Sequence, residues 1–127
     1  MKCKKMIRNW RLITEHEFSI RMHEILKDEE AIKCACVTGP GRSGAIASVY
    51  ASHILGIPFF PYGCFPPESL GRLLIVDTAS ESGKTIRKAH KRYKDFNPAV
   101  WIGYQEPPRV YFWYESGKPQ RYKHERS

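Results

Sequence analysis

The chain has 127 residues, 42% of them apolar, a formal net charge of +8 and a pI near 9.5. That length sets one domain with a real core, and no run approaches the roughly 20 apolar residues of a membrane span. The basic start Met1-Lys2-Cys3-Lys4-Lys5 lacks the apolar run of a secretion signal, and Cys3, Cys34, Cys36 and Cys64 lack paired Cys-x-x-Cys spacing, which argues against a zinc module and for reduced thiols in a cytoplasmic protein.

Residues 1–13 are basic, with Trp10, Leu12 and Ile13 among them, and read as a short edge strand or a covering segment. Thr14-Glu15-His16-Glu17 is a capping box, and Phe18, Met22, Ile25 and Leu26 follow at helical spacing, so an amphipathic helix is expected over 15–28. Asp28-Glu29-Glu30 makes a turn. Ala31 to Thr38 reads as the first core strand, with Cys34 and Cys36 on one face. It runs into Gly39-Pro40-Gly41-Arg42-Ser43-Gly44, a glycine-rich turn whose backbone N–H groups can form an anion nest. Arg42 is there either a charged donor to that anion or a plain exposed cation. Ala45 to Leu55 is a helix buried against the sheet and ended by Gly56. Ile57 to Tyr62 is extended, and Pro58 and Pro61 demote it to an edge strand. Residues 63–69 form a loop.

The stretch from Arg72 to Ile86 is the most informative. Leu73 to Val76 form a buried strand, Asp77 closes it, a short polar loop carries Glu81, and Ser82-Gly83-Lys84-Thr85 opens a helix. Such a unit aims free backbone N–H groups and the positive end of a helix dipole at one point, which suits a phosphate. The two carboxylates make sense beside it if they hold sugar hydroxyls, bind Mg²⁺ or act as a base. A P-loop would need Gly at position 78, where the chain has Thr78. An ordinary capped helix start is the plainer alternative. The helix over Lys84 to Lys94 should turn Ile86, Ala89, His90 and Tyr93 inward and its cations outward. Asp95-Phe96-Asn97-Pro98 breaks it. Ala99 to Tyr104 is a strand, Gln105-Glu106-Pro107-Pro108 a turn, and Arg109 to Tyr114 the last strand. Cations cluster in the first eleven residues, in this helix and from Lys118 to Arg126. They can steer anionic substrates, contact nucleic acid, or simply solvate the surface.

Strands alternating with helices predict one three-layer α/β domain over 1–127, a mostly parallel sheet of about five strands with helices on both faces; 1–13 and 116–127 are peripheral. Ligands of such sheets bind outside the carboxyl ends of the strands, where the winding reverses. The 72–86 segment resembles the phosphoribosyl-diphosphate (PRPP) signature of type I phosphoribosyltransferases, most closely the hypoxanthine-guanine/xanthine branch, and the wider resemblance covers roughly 31–115. It implies transfer of a phosphoribosyl group from Mg²⁺–PRPP to a nitrogenous base, purine-type favoured, with release of diphosphate. By the same resemblance Gly39, Pro40, Gly41, Arg42 and Ser43 hold the diphosphate, and Ser82, Gly83, Lys84 and Thr85 hold the 5′-phosphate. Asp77 and Thr78 face ribose and metal, Glu81 shares the base proton, and Phe112, or failing it Trp113, stacks the base. Where purine enzymes often carry a Lys that reads a keto oxygen, the chain offers Gln105 or nothing, which leaves the base unassigned. Two departures stand out: Thr78 replaces the second acid of the pair, and the loop at 63–69 is short where the family carries a mobile flap. They keep open a second reading, a phosphoribosyltransferase fold that senses nucleotide and regulates or contacts nucleic acid, and a third, an enzyme that cleaves the N-glycosidic bond. The partners implied are PRPP, diphosphate and a nucleobase or nucleotide. The base and the oligomeric state, a homodimer included, stay open.

Overall fold

A computed structural model describes residues 11–80, 83–105 and 110–115. The apolar run at 73–76 becomes the middle of β3 (Leu73–Ala79), the central strand. β2 (Cys36–Thr38) and β4 (Ala99–Tyr104) pair with it on either side, both parallel, with Thr38 opposite Ile75 and Val76 opposite Trp101. On the outer edge of β2, Phe59 makes a single parallel bridge to Val37. Neither Pro58 nor Pro61 has an N–H to extend that ladder, so the segment stays an edge. β1 (Arg11–Ile13) and β5 (Val110–Phe112) form a separate parallel ribbon. Every strand pair among the described residues is thus parallel, but the strands divide into a three-stranded sheet and a two-stranded ribbon instead of one sheet of five.

Side chains of a strand alternate between faces, and β3 does so over a three-layer domain. Leu74 and Val76 face α1 (Glu15–Ile25) and α3 (Gly41–Leu55), where they meet Phe18, Met22, Ala47 and Ala51; Ile13, Val110 and Phe112 of the ribbon close that core. Leu73 and Ile75 face α4 (Lys84–Arg92) and meet Ala89, Tyr93 and Cys36. α1 is capped as expected, Thr14 Oγ1 accepting from Glu17 N at 3.2 Å. The other half of the box is not made, because Arg11 (2.7 Å) and Tyr104 Oη (3.3 Å) take the Glu17 carboxylate. Gly56, at φ 67°, ends α3.

Several boundaries differ from the sequence expectation. Asp28 caps a short helix α2 (Glu29–Ile32), its Oδ1 accepting from Glu30 N at 2.8 Å, so the strand expected from Ala31 begins only at Cys36. Cys34 therefore precedes the strand, donates to the Glu30 carbonyl at 3.3 Å and joins the α1/α3 core, while Cys36 faces α4; the two thiols do not share a face. α1 ends at Ile25, and α3 begins at Gly41, taking most of the expected glycine turn into its first turn. His90 is exposed, not inward. The last strand ends at Phe112, whose N–H is captured by Glu115 Oε1 at 2.9 Å, and Trp113–Glu115 coil into a 3₁₀ turn. No helix among the described residues is long and apolar enough to cross a membrane. Segments 1–10 and 116–127, and residues 106–109 of the expected turn and strand, lie outside the described residues.

Candidate functional site

From β2 the chain passes through α3 to the Phe59 edge, then returns to β3 on the other side of β2 and continues through α4 to β4. The winding reverses between β2 and β3, so the crevice at their carboxyl ends is the ligand position of this architecture. Gly39 and Pro40 leave β2 there, and Ser80 leaves β3, the neighbouring strand. The first loop is pressed against β3. A Cβ on Gly39 would overlap the Gly44 carbonyl oxygen and lie 2.5 Å from the Val76 carbonyl oxygen, and one on Gly44 would lie 2.5 Å from the Gly39 carbonyl carbon. This backbone contact seats the start of α3 at the strand tips. Gly44 N bonds the Pro40 carbonyl, no side chain caps the helix, and Gly41 and Arg42 are exposed. The first-turn N–H groups of Gly41, Arg42 and Ser43 have no acceptor within the helix, a geometry that suits an anion.

Ser43 reaches across the crevice: its Oγ lies 2.6 Å from Tyr114 Oη. The Thr78 hydroxyl and the Asp77 and Glu115 carboxylates lie close enough to Tyr114 to act on its phenol. Burial raises the Tyr114 pKa; the Ser43 and Thr78 hydroxyls offset part of the rise, and the Glu115 and Asp77 charges add to it. The phenol is therefore neutral at physiological pH. Thr78, 2% exposed, is buried beside Tyr114 and offers a hydroxyl there, not a carboxylate. Asp77, 7% exposed, alternates to the α4 side of β3, and its Oδ1 accepts from Thr78 N at 2.7 Å. Thr38 Oγ1, at the end of β2, is buried with no hydrogen-bond partner among the described residues.

The start of α4 forms the other wall. Gly83 is its N-cap residue at φ 78°, a conformation that glycine adopts without strain, and no side chain caps the helix. Lys84 and Thr85 are exposed in the first turn. Arg87, expected among the outward cations, folds back: a Cβ built on Gly83 would lie 3.0 Å from Arg87 Nη1 and 4.0 Å from Ser80 Oγ. The i, i+4 spacing from Gly83 is the sequence signal that points to it. Glu81 and Ser82 lie outside the described residues.

The aromatic end of the chain is placed differently from expectation. Phe112 is 1% exposed and packed among Phe18, Tyr104 and Tyr114, with ring centroids 6.0, 5.8 and 5.6 Å away. It is a core ring rather than an open platform, because β5 pairs with β1 and turns this side chain inward. Trp113 is only partly buried and meets Tyr114 edge to face at 5.1 Å. Tyr114 is the residue the sequence does not single out. Tyr111 to Tyr114 are all aromatic, and only the end of β5 at Phe112 selects which ring reaches the crevice.

Among the described residues no three His, Cys, Asp or Glu side chains come together as a metal cluster. The donors at the crevice are the Asp77 carboxylate and neighbouring hydroxyl and carbonyl oxygens. That set suits Mg²⁺, which commonly takes one or two carboxylates and completes its shell with water and substrate phosphate oxygens.

No protein-family model matches the sequence, and no curated protein is significantly similar to it. Solved structures match the fold. A purine phosphoribosyltransferase from Pyrococcus horikoshii Ot3 superposes with a TM-score of 0.62 at 21% identity, over 82% of this chain and 92% of that one. The xanthine-guanine-hypoxanthine phosphoribosyltransferase of Helicobacter pylori gives 0.67 at 13% identity, over 92% and 97%. A hypothetical protein from Neisseria gonorrhoeae with bound ppGpp gives 0.67 at 12% identity, over 91% and 95%. The chain has the fold of the type I phosphoribosyltransferases.

Proposed function

We propose that this chain, on its phosphoribosyltransferase fold, binds Mg²⁺–PRPP in the crevice between β2 and β3 and transfers the phosphoribosyl group to a purine-type base, releasing diphosphate. One observation carries the reading: the uncapped starts of α3 and α4 open from adjacent parallel strands around Asp77, where the winding reverses.

In this reading Gly39, Pro40, Gly41, Arg42 and Ser43 hold the diphosphate. Ser82, Gly83, Lys84 and Thr85 hold the 5′-phosphate, and Arg87 adds a charged donor beside Gly83. A base nitrogen attacks the anomeric carbon while the bond from that carbon to the diphosphate oxygen breaks, and the base proton passes to the Glu81 carboxylate. Asp77 orients the ribose and balances the positive charge that the sugar develops, the kind of preorganised electrostatic support that dominates such steps. Asp77 would also hold Mg²⁺, which when bound neutralises charge on the departing diphosphate. Trp113 takes the base-stacking role, since the Phe112 ring is inside the protein. The free thiols of Cys34, Cys36 and Cys64 are consistent with a reducing, cytoplasmic setting.

Isothermal titration with PRPP and with diphosphate, Mg²⁺ present, tests binding; a panel of bases read by diphosphate release tests turnover. Absence of heat with both ligands would refute the proposal. A second reading, a nucleotide sensor without turnover, is favoured by Thr78, a buried hydroxyl where a second carboxylate would be needed. The ppGpp-bound neighbour makes a guanine nucleotide the ligand to try. Binding of PRPP or ppGpp with no product from any base would select it.

A further inference from the structure

α4 buries little of itself. Ala89 and the half-buried Ile86 point to the sheet with the following Tyr93, while Lys88, Lys91, Arg92 and Lys94 are exposed. No carboxylate of the described residues lies within ion-pair distance of Lys88, Lys91 or Lys94. At the carboxyl end of this helix sits an aromatic group that is held in place but not covered. Phe65 is 55% exposed, stacks on Phe96 at 6.0 Å and 22°, and lies 5.1 Å from Tyr93. Tyr93 Oη accepts from Gly63 N at 2.8 Å and donates to the Cys64 carbonyl at 2.9 Å, which pins the loop that carries Phe65. The Arg92 guanidinium lies over the Tyr62 ring at 5.2 Å, so cation and aromatic group share one border.

We propose that this face binds single-stranded nucleic acid, phosphates along Lys88, Lys91, Arg92 and Lys94 and a base stacked on Phe65. Cations three and four residues apart on a helix stand about 5–6 Å from each other, a spacing that follows a phosphate backbone. A cationic face alone suits any polyanion. A rigid exposed ring at its end adds a surface for the flat face of an unpaired base, which a duplex keeps inside its stack. No described residue of this surface is assigned to the sugar, so RNA and DNA strands are expected to bind alike. Lys88, the nearest of these cations, stands about 7.5 Å along the helix from Gly83, and the Phe65 group lies past the far end at about 13 Å, so the base-stacking end is distinct from the crevice and does not depend on the PRPP reading.

The test is fluorescence anisotropy of a labelled oligouridylate of about 12 nucleotides between about 50 and 200 mM salt. Binding is expected to weaken with salt, and Lys88→Ala/Lys91→Ala to make the log–log slope shallower by about 1.4. Phe65→Ala should weaken binding about tenfold with the slope unchanged, and Phe65→Trp should restore it. Oligothymidylate should bind like the RNA, and a duplex of equal length at least about tenfold more weakly. PRPP titration should be identical in all these variants, so failure here and failure of the crevice proposal are distinguishable. Equal binding of strand and duplex, a Phe65→Ala protein that binds normally, equal binding to anionic lipid vesicles, or no binding at low salt would each overturn the inference.

Discussion

On one side of β3, Leu74 and Val76 meet a layered core that runs from Phe18 and Met22 through Ala47 and Ala51 to the ribbon residues Ile13 and Phe112. On the other, Leu73 and Ile75 meet Ala89 and Tyr93, with Ile86, Phe60 and Phe96 packed part-way around them. The thick side buries α3 through Gly44, Ala47, Ser48 and Ala51, small residues that let the helix come close and fix its first turn against the strand tips. The thin side needs only a narrow apolar stripe on α4 and leaves the rest of that helix to cations. The same sheet thus brings Ser43 and Tyr114 together at the strand tips and still presents a solvated, positive helix. Precise positioning comes from the deep core, and available charge from the shallow one.

The contrast is sharpest in stability. Phe18→Ala on the thick side should cost about 3–5 kcal/mol, the usual penalty for emptying a buried aromatic site, read from the urea midpoint at constant slope. Gly39→Ala should cost about 1–3 kcal/mol through overpacking against Gly44 and Val76 and should also weaken diphosphate binding in the titration. Ile86→Ala on the thin side should cost about 1–2 kcal/mol, because that side chain is only half-buried. A loss equal to that of Phe18→Ala would abolish the distinction between the faces. Tyr114→Phe should cost about 1 kcal/mol by removing the bond to Ser43.

The smallest effect is alkaline. The Tyr114 pKa is raised in the folded state, so between its unfolded value near 10 and that raised value the native protein holds the proton more tightly. This stability is complete below about pH 10 and is lost as pH rises through the folded value. Tyr114→Phe should flatten that part of the decline in melting temperature, and an unchanged alkaline limb would mean that the phenol is not buried as described.

The sequence by itself was enough for the parallel α/β class, though not for the division of the strands into a sheet and a ribbon. An apolar tetrad closed by Asp77, a glycine turn before a helix of small residues, and helical and strand periods in alternation are local patterns, and each maps to a parallel α/β element. Local pattern also located both glycine-containing helix starts to within about a turn, since glycine acts locally. Tertiary structure decided the rest. Asp28 turned the start of an expected strand into α2, because its carboxylate caps the helix by accepting from Glu30 N. Only the pairing of β5 with β1 buried Phe112, and only that packing brought Tyr114 to Ser43 and Thr78, residues far apart in the chain. Spacing along a sequence shows which residues can share a turn. It does not show which ring of an aromatic run is taken by the core, because that depends on what the strand beside it leaves to fill.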